Sequence, residues 1–527
     1  MANTAADSIE VEWQFDAADP ERVVRWLRRG AGGGVRPLGT RELVDSYLDT
    51  ADWRFMRANR SLRIRQRGDG TAEATLKSLD EQTEGPRNRI EVTQDLPATT
   101  VEALLGATGP VTSTIRAVAG RDPVRECGSV RTTRENFEIG AGRPRRPIAV
   151  LSLDRSAFGD GDAAGSPMLR VEVEVAPGVD PAEVAPWVER LVAACELTRA
   201  RGSKFDHAIQ HHGLARVIEP PPRPPSKRAT FGEVARAAVA AQLYALDRHE
   251  PIARLGDDAE GVHDVRVATR RLRAGLALMH EAFTPDLTAL REELRWVATS
   301  LGGVRDLDVL LEELDHWETS GPASRAEALA PVRGIIQRDW EAARVTLLAA
   351  LDSDRYAAVI QALSALLDDA AFAPAASEGG RARAATLLHE VHRKFRRDAK
   401  RVTPVAPDDA WHQLRIRGKR LRYALEFFAP VLGRPADRAL TTLKRVQDTL
   451  GEVQDAAVAG ATLESIVTRE VLSGSTAFAL GEWAGDRGAR AFALRGGFPA
   501  LLEEFDHDWQ QVSAVLDDPE RAPRRKR

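Results

Sequence analysis

Ile9-Glu-Val-Glu-Trp-Gln-Phe15 alternates apolar and polar residues without a break. This pattern predicts a β-strand with Glu10, Glu12 and Gln14 on one face and Ile9, Val11, Trp13 and Phe15 on the other. A short helix follows, marked by Asp19 as N-cap, Pro20 in the first turn and Gly30 past the end. Strands with one charged face then recur. Leu62-Arg-Ile-Arg-Gln-Arg67 groups Arg63, Arg65 and Arg67, Ala74-Thr-Leu-Lys77 adds Lys77, and Arg89-Ile-Glu91 pairs opposite charges. Leu151-Ser-Leu-Asp154 carries Asp154, and Leu169-Arg-Val-Glu-Val-Glu-Val175 groups Arg170, Glu172 and Glu174. In Ser129-Val-Arg-Thr-Thr-Arg134, a regular strand points Arg131 and Arg134 to opposite faces.

An open antiparallel sheet with one solvated face also alternates in this way. Here, however, the charges are sorted by strand, with acidic pairs at both ends of the region and basic pairs in the middle. A closed antiparallel barrel with a polar lumen brings such strands face to face. Carboxylates there suit a hard divalent cation, and arginines suit phosphates bridged by it.

The chain has 527 residues, a length that suggests two to four domains at roughly 150 residues each. A proline-dense stretch, Glu219-Pro-Pro-Pro-Arg-Pro-Pro-Ser226, cannot lie inside a helix or central strand and reads as a stiff linker. The composition shift across it predicts an α+β or mainly β domain over 1–215, a linker over 216–227, an all-helical domain over 228–515 and a basic tail over 516–527. With 74 basic and 78 acidic side chains the net charge of −4 says little about partners, although only 8 of the 74 cations are lysine. Two cysteines exclude a disulfide framework or Cys-rich zinc module. No apolar run approaches the roughly 18 residues of a membrane span, and Met1–Glu10 lacks a cationic segment followed by an apolar one. A cytoplasmic location and no membrane partner are therefore expected.

Glu10-Val-Glu12, Tyr47-Leu-Asp49-Thr50, Leu62-Arg63-Ile-Arg65, Thr75-Leu-Lys77, Leu153-Asp154 and Glu172-Val-Glu174 occur in the order of the CYTH family, which residues 8–212 resemble. That family comprises the triphosphate tunnel enzymes: inorganic triphosphatases, thiamine triphosphatases and one class of adenylyl cyclases. The resemblance implies an eight-stranded antiparallel tunnel. It makes Glu10, Glu12, Asp154, Glu172 and Glu174 the acidic set for Mg²⁺ or Mn²⁺. Glu10 and Glu12 would act in catalysis with Arg63, Arg65, Lys77, Arg89 and Arg134, which hold the triphosphate; Lys204 joins them and Arg131 is a weaker candidate. The implied reaction is metal-assisted attack of water on a terminal phosphoryl group. One departure from the family pattern is Gln14, where the opening Glu-x-Glu-x-Lys motif has lysine.

The second half repeats itself. Val262-His-Asp-Val-Arg-Val-Ala-Thr-Arg-Arg-Leu-Arg273 corresponds to Trp411-His-Gln-Leu-Arg-Ile-Arg-Gly-Lys-Arg-Leu-Arg422, and Leu301-Gly-Gly-Val-Arg-Asp-Leu-Asp308 to Leu450-Gly-Glu-Val-Gln-Asp-Ala-Ala457. Both matches have an offset of 149 residues (412 − 263 and 450 − 301), which indicates a duplicated helical unit over about 228–375 and 377–515. On a helix, His263, Arg266, Arg270 and Arg273 share one arc, and Val265, Ala268, Leu272, Leu276 and Met279 lie opposite. In the second copy His412, Arg415, Lys419 and Arg422 form the arc, opposite Leu414, Leu421, Leu425 and Phe428. Arg271 and Arg420 flank it. No acid stands within either arc, where a solvated face would gain from i,i+4 pairs of opposite sign, so an anion from outside is expected. The two histidines are equally read as structural.

These motifs resemble the CHAD family of conserved-histidine α-helical domains over about 228–512. The resemblance implies inorganic polyphosphate in a basic channel on His263, Arg266, Arg270, Arg273, His412, Arg415, Lys419 and Arg422, with Arg295 and Lys444 as further corresponding contacts. Arg305 has only Gln454 as its counterpart at the 149-residue offset. A flexible polyanion suits a line of cations through counterion release. Few aromatics lie among these cations, so nucleic-acid binding has little support. Two readings stand: a polyphosphate-binding protein whose tunnel is a metal-dependent triphosphatase, or a non-catalytic polyphosphate scaffold at granules with a tunnel weakened by Gln14. Nucleotide cyclase activity ranks below both.

Overall fold

The computed structural model describes residues 8–29, 34–79, 85–142, 144–158, 167–214 and 220–517. Gly30, residues 216–219 of the linker and the basic segment 518–527 lie outside them. The chain divides into two compact units, Met1–Glu219 and Pro220–Arg527.

In the first unit, strands β1 (Ser8–Asp16), β2 (Val35–Asp49), β3 (Arg60–Arg67), β4 (Ala72–Ser78), β5 (Arg87–Leu96), β6 (Arg125–Ala141), β7 (Arg146–Phe158) and β8 (Met168–Val175) form one antiparallel sheet. Its order is β5-β4-β3-β2-β6-β7-β8-β1, and pairing of β1 with β5 closes it into an eight-stranded barrel. The two-residue β9 (Thr198–Arg199) adds to β1.

The alternation read in β1 holds through the barrel. Trp13 and Phe15 point outward with Leu151, Leu153, Val171 and Val173, and helices α1 (Pro20–Arg28) and α5 (Pro181–Cys195) cover them. The α1 cap is as the sequence predicts: Asp19 accepts from the Arg22 amide and Pro20 opens the helix. Helices α2 (Arg54–Arg57), α3 (Val101–Gly106), α4 (Pro110–Ala119) and α6 (Lys204–His211) complete the unit. Phe205, Ala208 and Ile209 of α6 pack on Tyr47, Met56 and Val130. Because helices cover the apolar face, the charged face is left to the lumen.

The second unit is helical: α7 (Phe231–Leu255), α8 (Ala259–Leu278), α9 (Thr288–Thr319), α10 (Ala323–Leu351), α11 (Asp354–Ala365), α12 (Gly380–Ala399), α13 (Asp408–Leu432), α14 (Arg434–Arg469) and α15 (Gly474–Leu516). The 149-residue offset carries the start of α7 onto that of α12 and the start of α8 onto that of α13. The two copies meet reciprocally. The Phe231 amide donates to the Glu378 carbonyl at 2.8 Å, and the Gly380 amide donates to the Ala229 carbonyl at 2.9 Å. Each residue in the first bond is the 149-offset counterpart of one in the second, so a pseudo-two-fold axis runs between them. The apolar faces predicted for α8 and α13 are buried in one shared core, including Val265, Leu272 and Leu276 with Leu414, Leu421 and Phe428.

Candidate functional site

Strand alternation turns Glu10 and Gln14 of β1, Arg63 and Arg65 of β3, Lys77 of β4, Arg89 and Glu91 of β5, Arg134 of β6 and Glu172 and Glu174 of β8 into a cavity of about 500 Å³. Lys204, from the first turn of α6, reaches the same cavity. Glu12 and Asp154 lie beneath its wall. Glu12 is 2% exposed, 3.3 Å from Lys77 Nζ and 3.4 Å from Arg89 Nη1. Asp154 is fully buried, accepts from Arg134 Nε and Nη2 at 2.8 and 2.7 Å, and bonds Lys204. Asp154 thus holds the two cations in place and does not line the cavity. Arg131 is exposed, on the face away from Arg134.

The lumen charges are paired with one another. Lys77 bonds Glu10 and lies 3.1 Å from Glu91, while Arg134 and Lys204 reach Glu172 at 2.6 and 3.0 Å. Burial and the adjoining Glu12 carboxylate push Glu10 up to about 8. Against burial, Lys77 and Arg63 hold Glu91 down at about 2, and Lys204 and Arg134 hold Glu172 well below the usual carboxylate range. The Nε atoms of Arg63 and Arg89 are buried without a hydrogen-bond partner.

Gln14 is fully engaged. Its amide nitrogen donates to Glu12 Oε1 at 3.1 Å and Glu172 Oε1 at 3.4 Å, and its oxygen accepts from Arg87 Nη1 at 3.1 Å. Neither Arg87 nor Asp45 is apparent as a site residue from the motifs. Asp45, 1% exposed, takes both ends of the Arg65 guanidinium at 2.6 and 2.8 Å and is held at about 2 by Arg65 and Arg63 against burial. The period-two signal was present, since Asp45 shares its face with Tyr47.

In the helical unit the two basic arcs line two adjoining cavities. One, about 720 Å³, takes His263, Arg266 and Arg270 from α8 and His412, Arg415, Lys419 and Arg422 from α13, with Lys444 of α14. The other, about 810 Å³, takes Arg273 of α8 and Arg295 of α9. Arg270, Lys419 and Tyr423 belong to both walls.

The expectation that no acid serves these arcs is corrected in part. Arg266 Nη1 donates to Asp306 at 2.9 Å and Arg415 Nη2 lies 3.5 Å from Asp455, equivalent pairs at the 149-residue offset. Arg422 lies 3.3 Å from Glu426, one turn on along α13. The acids for Arg266 and Arg415 come from α9 and α14, so they are invisible to periodicity within α8 or α13. Arg270 and Lys419 form no ion pair among the described residues. Nε of Arg266, Arg270 and Arg415 is buried without a hydrogen-bond partner, a donor set that calls for an acceptor. Burial, then Arg415, Arg270 and Arg266, push Lys419 down to about 6. The histidines differ: His412 Nδ1 bonds Gln454 Oε1 at 2.7 Å, whereas burial and Arg305 lower the basicity of His263. Among the described residues, Glu260, His263 and Asp264 form a further group whose ligand atoms lie within 4.8 Å of one another.

The CYTH domain profile matches residues 9–207 and the CHAD domain profile matches residues 237–464. The chain is a CYTH domain followed by a CHAD domain. The barrel is the CYTH unit and the helical repeat the CHAD unit. An uncharacterized Mycobacterium tuberculosis protein, Rv2226, is 27% identical over 489 residues, covering 86% of this chain and 88% of its own length. The crystal structure of the CHAD domain from the plant Ricinus communis is similar at 27% identity and a TM-score of 0.46, covering 55% of this chain and 97% of its own. HpAC1 from Hippeastrum, described as having a dominant triphosphatase activity, is similar at 18% identity and a TM-score of 0.32, covering 40% of this chain and 99% of its own. No helix among the described residues is long and apolar enough to cross a membrane.

Proposed function

We propose that the CHAD unit binds inorganic polyphosphate and that the CYTH unit hydrolyses the terminal phosphoanhydride of a short triphosphate with Mg²⁺ or Mn²⁺. The observation that carries the reading is the CYTH cavity itself, walled by Arg63, Arg65, Lys77, Arg89, Arg134 and Lys204 on some strands and by Glu10, Glu172 and Glu174 on others.

The donor set suits a hard cation in kind, being all carboxylate oxygen. Glu12 stands opposite Glu174 in the β1–β8 ladder, like charges that a divalent ion would relieve. Glu10, Glu172 and Glu174, with Glu12 behind, would hold the ion, which supplies charge neutralisation at the reacting phosphoryl group. Arg63, Arg65, Arg89 and Arg134 would take the phosphate oxygens through charge-assisted hydrogen bonds, Arg65 and Arg134 through the donors that Asp45 and Asp154 leave free. Lys77 and Lys204, released from carboxylates by the incoming charges, add two more cations. The remaining work is positioning in a walled site.

In the CHAD unit, the unpaired Arg270 and Lys419 and the orphaned guanidinium Nε donors support a flexible polyanion along α8 and α13. Release of phosphate from tripolyphosphate with Mg²⁺ or Mn²⁺, compared with a Glu10→Ala/Glu12→Ala control, tests catalysis. No release above that control, with labelled polyphosphate still bound, would leave the non-catalytic scaffold reading, which Gln14 in the motif-lysine position favours.

A further inference from the structure

The pseudo-two-fold axis makes the ends of the CHAD channel comparable residue by residue. At one mouth stand Arg273 and Arg295, with Arg291 and Arg420 beside them, around the cavity of about 810 Å³. The 149-residue offset maps Arg273 to Arg422, Arg420 to Arg271 and Arg295 to Lys444 at the other mouth. Two differences separate them. Arg271 and Arg422 converge on one carboxylate, Glu426, at 3.0 and 3.3 Å, and the counterpart of Glu426 is Ala277. Beside Arg271 and Glu426, the linker residues Pro222, Arg223, Pro224 and Pro225 also line, with Ala238 and Gln242 of α7, a cavity of about 220 Å³, whereas Arg422 and Lys444 line the cavity of about 720 Å³. The counterparts of those two α7 residues, Leu387 and Val391 of α12, line the open cavity instead.

At the open mouth, Arg273, Arg291 and Arg420 form no ion pair among the described residues, and Arg295 has only Glu292 at 3.6 Å, both side chains 66% exposed. Burial, then Arg295, lowers the proton affinity of Arg273, against the opposing pull of Glu292. Three carboxylates share those walls, but Glu281 pairs with Arg383 and Glu390 with Lys394, so Glu292 is the one among them set against the four guanidinium groups. That arrangement costs stability unless an anion joins it, and it focuses a positive field outward.

We propose that a linear polyphosphate chain is captured at the mouth formed by Arg273, Arg291, Arg295 and Arg420, and that the opposite mouth is a charge-compensated end. This rests on the polyphosphate reading above. Capture at one end gives the channel a direction: the first phosphates meet the uncompensated arginines, and later ones run inward past Arg270 and Lys419, which both cavities share.

Two pseudo-equivalent single variants of the full chain test the asymmetry, with fluorescence anisotropy of end-labelled polyphosphate at several salt concentrations. Arg420→Ala weakens binding about tenfold and lowers the slope of log K against log salt by about one. Arg271→Ala leaves affinity within about twofold, and Glu426→Gln tightens binding severalfold by freeing Arg422. Arg420 is exposed, so an unchanged circular dichroism spectrum checks folding, and Arg420→Gln repeats the charge loss with a longer side chain. Equal losses in Arg420→Ala and Arg271→Ala, or no loss in either while the wild type binds, overturn the directional capture. Absence of binding by the wild type overturns the polyphosphate reading and the capture with it.

Discussion

Glu12 and Glu174 face each other across the antiparallel ladder between β1 and β8. Like charges so placed weaken a strand pair by roughly 0.2–1 kcal/mol. Burial, then Glu12, raises the pKa of Glu174. A divalent cation should convert this cost into a gain, so millimolar Mn²⁺ or Mg²⁺ raises the thermal unfolding temperature of the wild-type chain. Glu174→Gln should unfold slightly later than wild type without metal and show a much smaller metal-induced rise. Calorimetry with and without EDTA reads both, and an equal rise in both proteins would remove Glu174 from the metal set.

Gln14 is not an empty substitute for a cation. Its carbonyl receives the Arg87 guanidinium while its amide serves Glu12 and Glu172, so positive charge stands one side chain behind it. Gln14→Lys would remove the acceptor of Arg87 and add a like charge. Phosphate release from tripolyphosphate should therefore change by less than about threefold in Gln14→Lys but fall by about one to two decades in Arg87→Met, the scale of one charge-assisted contact of ~1.5–3 kcal/mol. A large gain in Gln14→Lys would instead show a tunnel short of one cation.

Lys419 makes polyphosphate affinity depend on pH. At about 6 in the free protein, its amine is largely neutral at pH 7–8. Phosphates favour the ammonium form, so binding takes up a proton. Affinity should fall as pH rises above about 6, by up to a decade per unit, and flatten below it. The groups around it are Arg415, Arg270 and Arg266, which stay charged in this window, and Asp455. Lys419→Met should bind more weakly at pH 6 and lose the slope, as read by anisotropy between pH 5.5 and 9. The same depression makes the unliganded fold less stable as pH falls from 10.5 towards 6, because the unfolded chain binds the additional proton.

Gly380 sits where the two CHAD copies touch. A Cβ there would lie 2.6 Å from the Ala229 carbonyl oxygen and 3.2 Å from Val234 Cγ2. Gly380→Ala should destabilise the helical unit by about 1–3 kcal/mol, the usual cost of overpacking, and lower its urea midpoint. Gly379→Ala, one residue earlier and with open space around its Cβ position, should have a much smaller effect.

Much of this was legible in the residues themselves. Strict alternation in Ile9–Phe15 fixes which side chains enter the lumen, and sorting of charge by strand points to a closed barrel, because only closure lets acidic and basic strands face each other. The 149-residue repeat identifies every cation of the two arcs. What periodicity cannot supply is the partner across space. Asp45 meets Arg65 through the β2–β3 register, Arg87 meets Gln14 through β5 and β1, and Asp306 meets Arg266 from a neighbouring helix. Glu426 was within reach, four residues after Arg422, where an i,i+4 pair is the ordinary expectation.

The reciprocal bonds of Phe231 with Glu378 and of Gly380 with Ala229 have the form of an isologous contact, in which each partner offers the other the same donor and acceptor. Two identical subunits meeting this way must carry identical side chains at both ends of whatever passes between them. Covalent fusion lifts that restriction: Ala277 and Glu426 occupy equivalent places with opposite electrostatic consequences. A groove built from twin halves can thereby acquire a front and a back.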